Sequence, residues 1–178
     1  MTYSKTAIRI LDSAERMARL GGYNGFSFRE IATEIGVKSA SVHYHFPNKE
    51  MLGDALAERY TETFLKALGN PDDAPPTEML KRYVMAYRRA LKEDGLMCLC
   101  GIFGAEISDL PDAVARKTRA FFQRNIDWLA RVFAAQDLPT DLCRRKAGAM
   151  IATLEGAMIM ARSMQDDVLF DQISAELV

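Results

Sequence analysis

The chain has few of the residues that build metal sites or nucleophilic dyads. Its 178 residues include three cysteines, two histidines and one tryptophan. The Cys98-Leu99-Cys100 interval does not match the Cys-x-x-Cys spacing of metal sites, and no phosphate-binding glycine loop occurs. The two histidines, His43 and His45, both lie in one short N-terminal helical segment, so no Cys–His or Ser–His pair is expected in the C-terminal part of the chain. We therefore expect neither a metal nor a cofactor, and an enzyme is the disfavoured class.

Long apolar runs and strand-like alternation are also missing. No stretch approaches the roughly 18 apolar residues of a membrane span, and no charged leader with an apolar core opens the chain. An odd number of cysteines in a chain of this length is typical of a reducing compartment. Helical periodicity punctuated by glycine and proline predicts an all-α protein. We expect a cytoplasmic protein without a membrane partner.

Net charge is low but unevenly distributed along the chain. The overall formal charge is −1, with 23 basic and 24 acidic residues. Residues 1–49 carry seven Lys or Arg against four Asp or Glu, and the remainder carries sixteen against twenty. This asymmetry favours an anionic partner at the N-terminal end. The excess is too small for a sequence-blind nucleic-acid binder.

Residues 27–52 have the pattern of two short helices joined by a tight turn. Ser27 and Glu30 have capping-box spacing, so each is expected to satisfy the other's backbone N–H. Gly36 suits the left-handed end of the first helix. Val42 and Phe46, four apart, are the expected inward anchors of the second. Such a helix pair is the unit that inserts a helix into the major groove of DNA.

The outer face of the second helix has unusual chemistry. A solvated face normally carries Glu, Lys and Gln, whereas this one carries small, hydroxyl, imidazole and phenol groups (Ser39, Ala40, Ser41, His43, Tyr44 and His45). These groups fit close to phosphates and thymine methyls. Asn48 is a good N-cap for the next helix, and Lys49 adds a cation beside that helix start. DNA contact is favoured over an ordinary helical corner.

The segment from about Ile8 to Leu56 closely resembles the DNA-binding domain of the TetR family of bacterial repressors. That family's recognition pattern is approximately G-V-x-x-x-[ST]-[LIV]-Y-x-[HY]-F-x-[SN]-K-x-x-L, and residues 36–52 read GVKSASVHYHFPNKEML. Two positions depart from it: Lys38 replaces a frequent capping serine, and His43 replaces the usual DNA-contacting tyrosine. The resemblance implies a homodimer on double-stranded operator DNA, with residues 1–50 as the DNA-binding domain and 51–178 as a helical effector-binding and dimerisation domain.

Roles in DNA binding follow from the pattern and the resemblance. We expect Ser39, Ala40 and His43 to contact base edges. The predicted phosphate contacts are Ser27, Ser41, Tyr44, His45 and Lys49, and Arg29 could reach either.

A smooth ridge on the helix predicted from about 141 to 164 suggests a subunit interface. Gly148, Ala152 and Gly156 recur every four residues, which lets another helix approach closely. Packing within one chain would use the same ridge. The resemblance favours dimerisation, since TetR-like proteins dimerise through a four-helix bundle of their last long helices. A two-fold dimer would hold two recognition helices about 34–36 Å apart.

Residues 96–111 resemble, over about fifteen positions, a segment of the electrophile-sensing NemR-type subgroup of that family. Cys98 falls on the recurrent cysteine of the subgroup. A helix start could lower the pKa of a sensor thiol at Cys98 or Cys100. Free cysteines are more often small buried apolar residues, and that alternative is favoured here.

The effector could instead be a small apolar molecule in a pocket between the C-terminal helices. The expected polar groups inside this pocket are Glu106 and Arg124. The other candidate pocket residues are aromatic: Tyr83, Tyr87, Phe103, Phe121 and Trp128. The predicted function is a sequence-specific repressor released by a small-molecule or thiol-reactive effector. The alternatives are an architectural DNA-binding protein without an inducer and, less favoured, a helical-bundle enzyme.

Overall fold

The computed structural model describes residues 3–178, and throughout that range the regular secondary structure is helical. The helices are α1 (Lys5–Gly21), α2 (Phe28–Ile35), α3 (Ser39–His45), α4 (Lys49–Leu68), α5 (Pro76–Lys92), α6 (Leu99–Ala105), α7 (Asp112–Ala134), α8 (Thr140–Met164) and α9 (Asp167–Ala175), with a 3-10 turn at Tyr23–Gly25. The predicted all-α class is confirmed. No helix in this range is both long and apolar enough to cross a membrane.

Two compact units divide the chain. The first contains the described residues up to Thr61 together with Leu99–Phe121, and the second contains Glu62–Cys98 and Phe122–Val178. Helices α4 and α7 therefore each contribute residues to both units. The first unit holds α1, α2, α3 and α6, and the second holds α5, α8 and α9.

In the first unit, α1, α2 and α3 pack around a small apolar core. Ile10, Leu11 and Ala14 of α1 are fully buried, as are Ile31 of α2 and Val42 of α3. Their spacing gives each helix one apolar stripe, so the three stripes can share one core. This core fixes which face of α3 is left outside.

Ion pairs tie α4 to α1 within that unit. One Arg59 nitrogen lies 2.7 Å from the Asp12 carboxylate, and another lies 2.7 Å from that of Glu15. The Arg59 side chain is only 22% exposed, so these charge-assisted bonds orient α4 better than a fully solvated pair would.

In the second unit, α8 and α9 pack on each other and on α5. The core contains Leu154 and Met158 of α8 and Phe170 of α9. At the surface of the unit, Asp171 of α9 accepts from Arg88 at 2.9 Å and from Lys92 at 2.7 Å. The two cations, one turn apart on α5, lower the pKa of the Asp171 carboxyl through these hydrogen bonds.

Candidate DNA-binding helix and effector region

The start and end of α2 are built as the sequence predicts, with one difference. Ser27 Oγ accepts from the backbone N–H of Glu30 at 3.3 Å, and Gly36 closes the helix in the left-handed region at φ 69°. The Glu30 carboxylate, however, accepts from the Ser27 hydroxyl at 2.6 Å instead of from the Ser27 backbone N–H. A hydrogen bond between the two side chains therefore replaces the reciprocal half of the expected capping box.

The two predicted anchors hold α3 against the core. Val42 is fully buried and Phe46 is 5% exposed. The Phe46 N–H still bonds to the Val42 carbonyl, after which Pro47 cannot extend the helix. Asn48 then caps α4, since its Oδ1 accepts from the N–H of Met51 at 2.8 Å. Anchors and caps thus fix both the position and the rotation of α3.

The outer face of α3 is open to solvent. Ser39, Ala40 and His43 are exposed, and Ser41 and His45 are partly exposed. Tyr44 keeps 83% of its surface accessible, although a ring of that size normally gains by burial. The Tyr44 ring lies edge-on to the His45 ring, 5.1 Å away. An aromatic surface of this kind, rigidly placed and uncovered, is typical of a binding face.

Two predicted phosphate contacts have partners inside the first unit. The Ser27 hydroxyl is used by the α2 cap. Lys49 Nζ lies 4.9 Å from the centre of the Tyr23 ring and 4.6 Å from that of Phe26. Partial burial there lowers the pKa of Lys49 below its ordinary value. The sequence could not indicate this cation–π contact, because the tertiary fold brings the 3-10 turn to the start of α4.

Arg29 is exposed at the start of α2, and its guanidinium forms no ion pair within residues 3–178. Lys38, the N-cap of α3, is likewise exposed and makes no side-chain capping bond. Two cations, one without an ion pair and one without a side-chain capping bond within residues 3–178, therefore lie on either side of the segment from α2 to α3. They give the exposed face of this helix pair a positive border, which suits a polyanion.

The predicted effector residues are divided between the two units. Cys100, Phe103, Glu106 and Phe121 belong to the first, while Tyr83, Tyr87, Cys98, Arg124 and Trp128 belong to the second. The ring of Phe103 packs edge-on to that of Tyr23 at 6.0 Å. The centre of the Phe121 ring lies 5.8 Å from the centre of the Tyr60 ring. Phe103 and Phe121 are thus core residues of the first unit.

Glu106 and Arg124, the expected polar groups of a pocket, each have a partner within the protein. Glu106 Oε2 accepts from the backbone N–H of Tyr23 at 2.8 Å and so joins α6 to the end of α1. Arg124 pairs with Glu62 at 2.7 Å, and both side chains are substantially exposed, at 41% and 58%.

A polar cluster that is buried except for the partly exposed Glu155 occupies the second unit. The Tyr83 hydroxyl donates to Asn125 Oδ1 at 2.9 Å, and the Tyr87 hydroxyl donates to Glu155 Oε1 at 3.0 Å. The thiol of Cys98 also bonds to the Glu155 carboxylate. Burial raises the pKa of Glu155 above its ordinary value, although both bonds oppose that change. We call these five residues the buried polar cluster.

Aromatic rings surround part of this cluster. The centre of the Tyr83 ring lies 5.6 Å from the ring centre of Phe64, 5.6 Å from that of Tyr87 and 5.7 Å from that of Trp128. Trp128 Nε1 donates to the carbonyl of Gly69 at 2.9 Å. Burial raises the pKa of Tyr83 well above its ordinary value, so its hydroxyl remains a hydrogen-bond donor. Polar groups aimed inward among rings are the usual composition of a small-molecule site.

Asn125 and Glu155 were missed from the sequence, although a signal existed. Asn125 stands four residues after Phe121 and four before Leu129 on the buried stripe of α7, where it is fully buried. Glu155 stands four residues after the buried Ile151 of α8. A polar residue on an apolar stripe is a candidate for a buried hydrogen bond.

The contacts of the cysteines bear on the thiol hypothesis. Cys98 is 2% exposed and Cys100 is fully buried, and within the described chain no cysteine forms a disulfide. Both thiols are therefore shielded from solvent, whereas reactive cysteines are typically partly exposed beside a cationic group. Within residues 3–178, no group of three or more His, Cys, Asp or Glu could hold a metal ion.

The interface candidates lie along the accessible side of α8. Ala152 is exposed, Gly148 and Gly156 are partly exposed, and a Cβ added at either glycine would meet no atom within 4 Å. Larger apolar side chains continue the same surface, with Ile159 52% and Met160 48% exposed. This apolar side of α8 is left uncovered in the single chain.

A fixed helix pair with an uncovered polar and aromatic outer face, in an all-helical chain, defines a helix-turn-helix DNA-binding regulator. Two family models match the chain. Residues 10–56 match "Bacterial regulatory proteins, tetR family", and residues 76–176 match "Transcriptional regulator LmrA/YxaF-like, C-terminal domain". The chain belongs to the TetR family of DNA-binding transcriptional regulators, which are not enzymes.

Individual relatives agree with this assignment. A TetR transcriptional regulator from Legionella pneumophila is 31% identical, with a TM-score of 0.92 over 99% of this chain and 97% of that one. The transcriptional repressor DhaR from Mycobacterium sp. (strain GP1) is 26% identical over 85% of this chain and 79% of its own length. The reduced form of E. coli NemR, 18% identical over 98% and 96% of the two chains with a TM-score of 0.83, shares the fold.

Proposed function

We propose that this protein is a homodimeric repressor that binds operator DNA through α3 and is released by a small-molecule effector bound in the second unit. The observation that carries the proposal is the outer face of α3, where Tyr44 is 83% exposed beside His43 and His45. Repression is also supported by the relative DhaR, which is named a repressor. In this proposal residues 1–50 bind DNA, and 51–178 bind the effector and dimerise.

The proposed DNA contacts divide into two groups. Ser39, Ala40 and His43 face base edges and set sequence preference. Phosphates are contacted by Tyr44, His45 and Ser41, with Ser27, Lys49 and Arg29 at the border of the face. Phosphate contacts give affinity and salt dependence, whereas base contacts give specificity. Because Ser27 and Lys49 already have partners, their contribution to DNA binding requires those partners to be shared.

The proposed dimer forms along α8. Gly148, Ala152 and Gly156 form a smooth, accessible surface, and Ile159 and Met160 extend it with exposed apolar area. An uncovered apolar helix face is costly in water and is typical of an interface. A symmetric dimer presents two copies of α3, and so matches a two-fold symmetric operator.

The proposed effector site is the buried polar cluster with its aromatic neighbours, of which Tyr83, Tyr87 and Trp128 were expected from the sequence. A ligand that binds one conformation better shifts the protein toward it, and here that conformation would hold the two recognition helices at a separation unsuited to the operator. A thiol-reactive effector at Cys98 is the second candidate, favoured only by the NemR-like sequence segment. The burial of Cys98, which is 2% exposed, weighs against it.

The test is a footprint of the protein on the DNA upstream of its own gene, repeated with a thiol oxidant and with the Cys98→Ser variant. We expect protection of a two-fold symmetric site that the oxidant does not abolish. Oxidant-induced release that disappears in Cys98→Ser would overturn the small-molecule choice in favour of the thiol alternative. Protection without symmetry or sequence preference would instead support an architectural DNA-binding protein.

A further inference from the structure

The ring of His43 is held from two sides on the exposed face of α3. Its Nδ1 lies 3.3 Å from the carbonyl oxygen of Pro47. Its ring packs edge-on against that of Phe28, with 4.6 Å between the centres. A carbonyl oxygen can only accept a hydrogen bond, so Nδ1 must carry the proton in this arrangement.

That bond determines the chemistry of the other ring nitrogen. A neutral imidazole has one donor and one acceptor nitrogen, so a protonated Nδ1 makes Nε2 an acceptor. The two nitrogens point to nearly opposite sides of the ring, and Nε2 therefore points away from Pro47. Within residues 3–178, Nε2 has no hydrogen-bond partner. Packing against the turn accounts for the contacts of Nδ1 and of the ring. It gives no role to Nε2.

The residues next to His43 on its face of α3 are compatible with the approach of a base. Ala40 and Ser39 lie three and four positions earlier on the same face of α3, and both are exposed and small. A base edge could therefore approach the ring without displacing another side chain.

We propose that His43 determines operator specificity by accepting, through Nε2, a hydrogen bond from the exocyclic amino group of a base. In the major groove only adenine N6 and cytosine N4 offer such a donor. Guanine presents N7 and O6 there, and thymine presents O4 and its methyl group, so neither can donate to Nε2. This assignment rests on the proposed function in one respect, namely that α3 enters the major groove.

The first test needs no DNA. Ring nitrogens of ¹⁵N-histidine-labelled protein are observed by NMR at about pH 8.5, where imidazoles are neutral. Only two histidines are present, so a His45→Asn variant assigns the spectrum. We expect a protonated Nδ1 and an unprotonated Nε2 for His43. The opposite tautomer would overturn the proposal whether or not the protein binds an operator.

The second test removes single amino groups from the footprinted operator. Each adenine is replaced in turn by purine and each cytosine by 2-pyrimidinone, and affinity is measured at each position. We expect one position per half-site to weaken wild-type binding by roughly 5- to 150-fold. The variant His43→Phe keeps a ring against Phe28 but has no acceptor, so it should be insensitive at that position. Whether the sensitive base is adenine or cytosine identifies the donor.

The matched control is Tyr44→Phe, which should weaken binding to all sequences while keeping the sensitive position. The inference is wrong if no amino group matters in a His43-dependent way, or if 7-deazaguanine substitution reveals a His43-dependent contact to guanine N7. Failure of the wild type to bind any operator would contradict the proposed function itself, and the NMR result would then distinguish the two failures.

Discussion

Lys49 combines a structural contact with a proposed functional one. Its ammonium lies over the rings of Tyr23 and Phe26, and its side chain stands at the start of α4 beside the DNA-binding face. A cation–π contact of this kind is worth about 0.5–2 kcal/mol, depending on desolvation. A contact between Lys49 and a DNA phosphate releases a condensed counterion, and this release makes binding depend on salt concentration. The two roles can be separated because they affect different measurements.

We predict that Lys49→Ala lowers the free energy of unfolding by about 1 kcal/mol and weakens binding to all DNA sequences about equally. The slope of log K against log salt should fall by about 1. Urea unfolding and salt titrations of operator binding provide the measurements. Lys49→Met keeps most of the packing and removes the charge, so it should retain more stability yet show the same slope. An unchanged slope in both variants would mean that Lys49 only supports the fold.

The fold disfavours the charged form of Glu155. Its folded-state pKa is raised above the ordinary value of 4.5 because burial disfavours the carboxylate. The folded protein therefore keeps this proton at pH values where the unfolded chain has released it. It follows that the contribution of Glu155 to the free energy of unfolding falls as pH rises from 4.5 through the raised folded pKa.

We predict that Glu155→Gln makes the protein more stable at neutral pH and flattens the fall in stability with rising pH. Glutamine keeps an acceptor for the Tyr87 hydroxyl without a charge to desolvate. Denaturant unfolding between pH 4 and 8 measures the effect, and Glu176→Gln on the exposed C-terminal segment should leave the curve unchanged. Loss of stability at neutral pH would show that the ionised carboxylate is required.

Among the helix junctions of the first unit, the one between α1 and α6 is closely packed around Gly22. Gly22 follows α1 at φ 74° and ψ −167°, a conformation essentially restricted to glycine. A Cβ at this position would lie 1.9 Å from Oε1 of Glu106. The same carboxylate accepts from the Tyr23 N–H, so the close approach and the hydrogen bond depend on each other.

We predict that Gly22→Ala lowers the free energy of unfolding by at least about 2 kcal/mol, from backbone strain together with the overlap with Glu106. Gly21→Ala is the matched control, because nothing lies within 4 Å of its added Cβ and it is the last residue of α1. That change should be neutral or stabilise by up to about 1 kcal/mol. Equal losses in thermal or urea unfolding would contradict this account of the junction.

For the whole molecule, the proposed function depends on dimerisation through α8. We predict that Gly156→Arg yields monomers that no longer bind the operator, because a long charged side chain blocks close approach along the ridge and one α3 alone makes half the contacts. Sedimentation and operator titration measure the two effects. Thr77→Arg, on exposed α5 surface, should remain dimeric and bound. A Gly156→Arg protein that still sediments as a dimer would show that the interface lies elsewhere.

Local sequence was sufficient for the DNA-binding helix pair and for the all-α class. Ser27, Gly36 and Asn48 act on residues within four positions of themselves, so the caps and the turn could be predicted. The buried anchor Val42 could be predicted from helical spacing. The outward face of α3 followed from the same helical spacing. Resemblance in this segment then indicated the family, which the comparisons confirm.

The tertiary structure decided the partners that are distant in sequence. Lys49 reaches the rings of the 3-10 turn, Glu106 bonds to the backbone after α1, and Arg124 turns outward to Glu62. The buried polar cluster likewise joins residues from Tyr83 to Glu155 that no local pattern associates. Periodicity identifies the face of a helix that a residue occupies, but only packing determines which other helix that face meets.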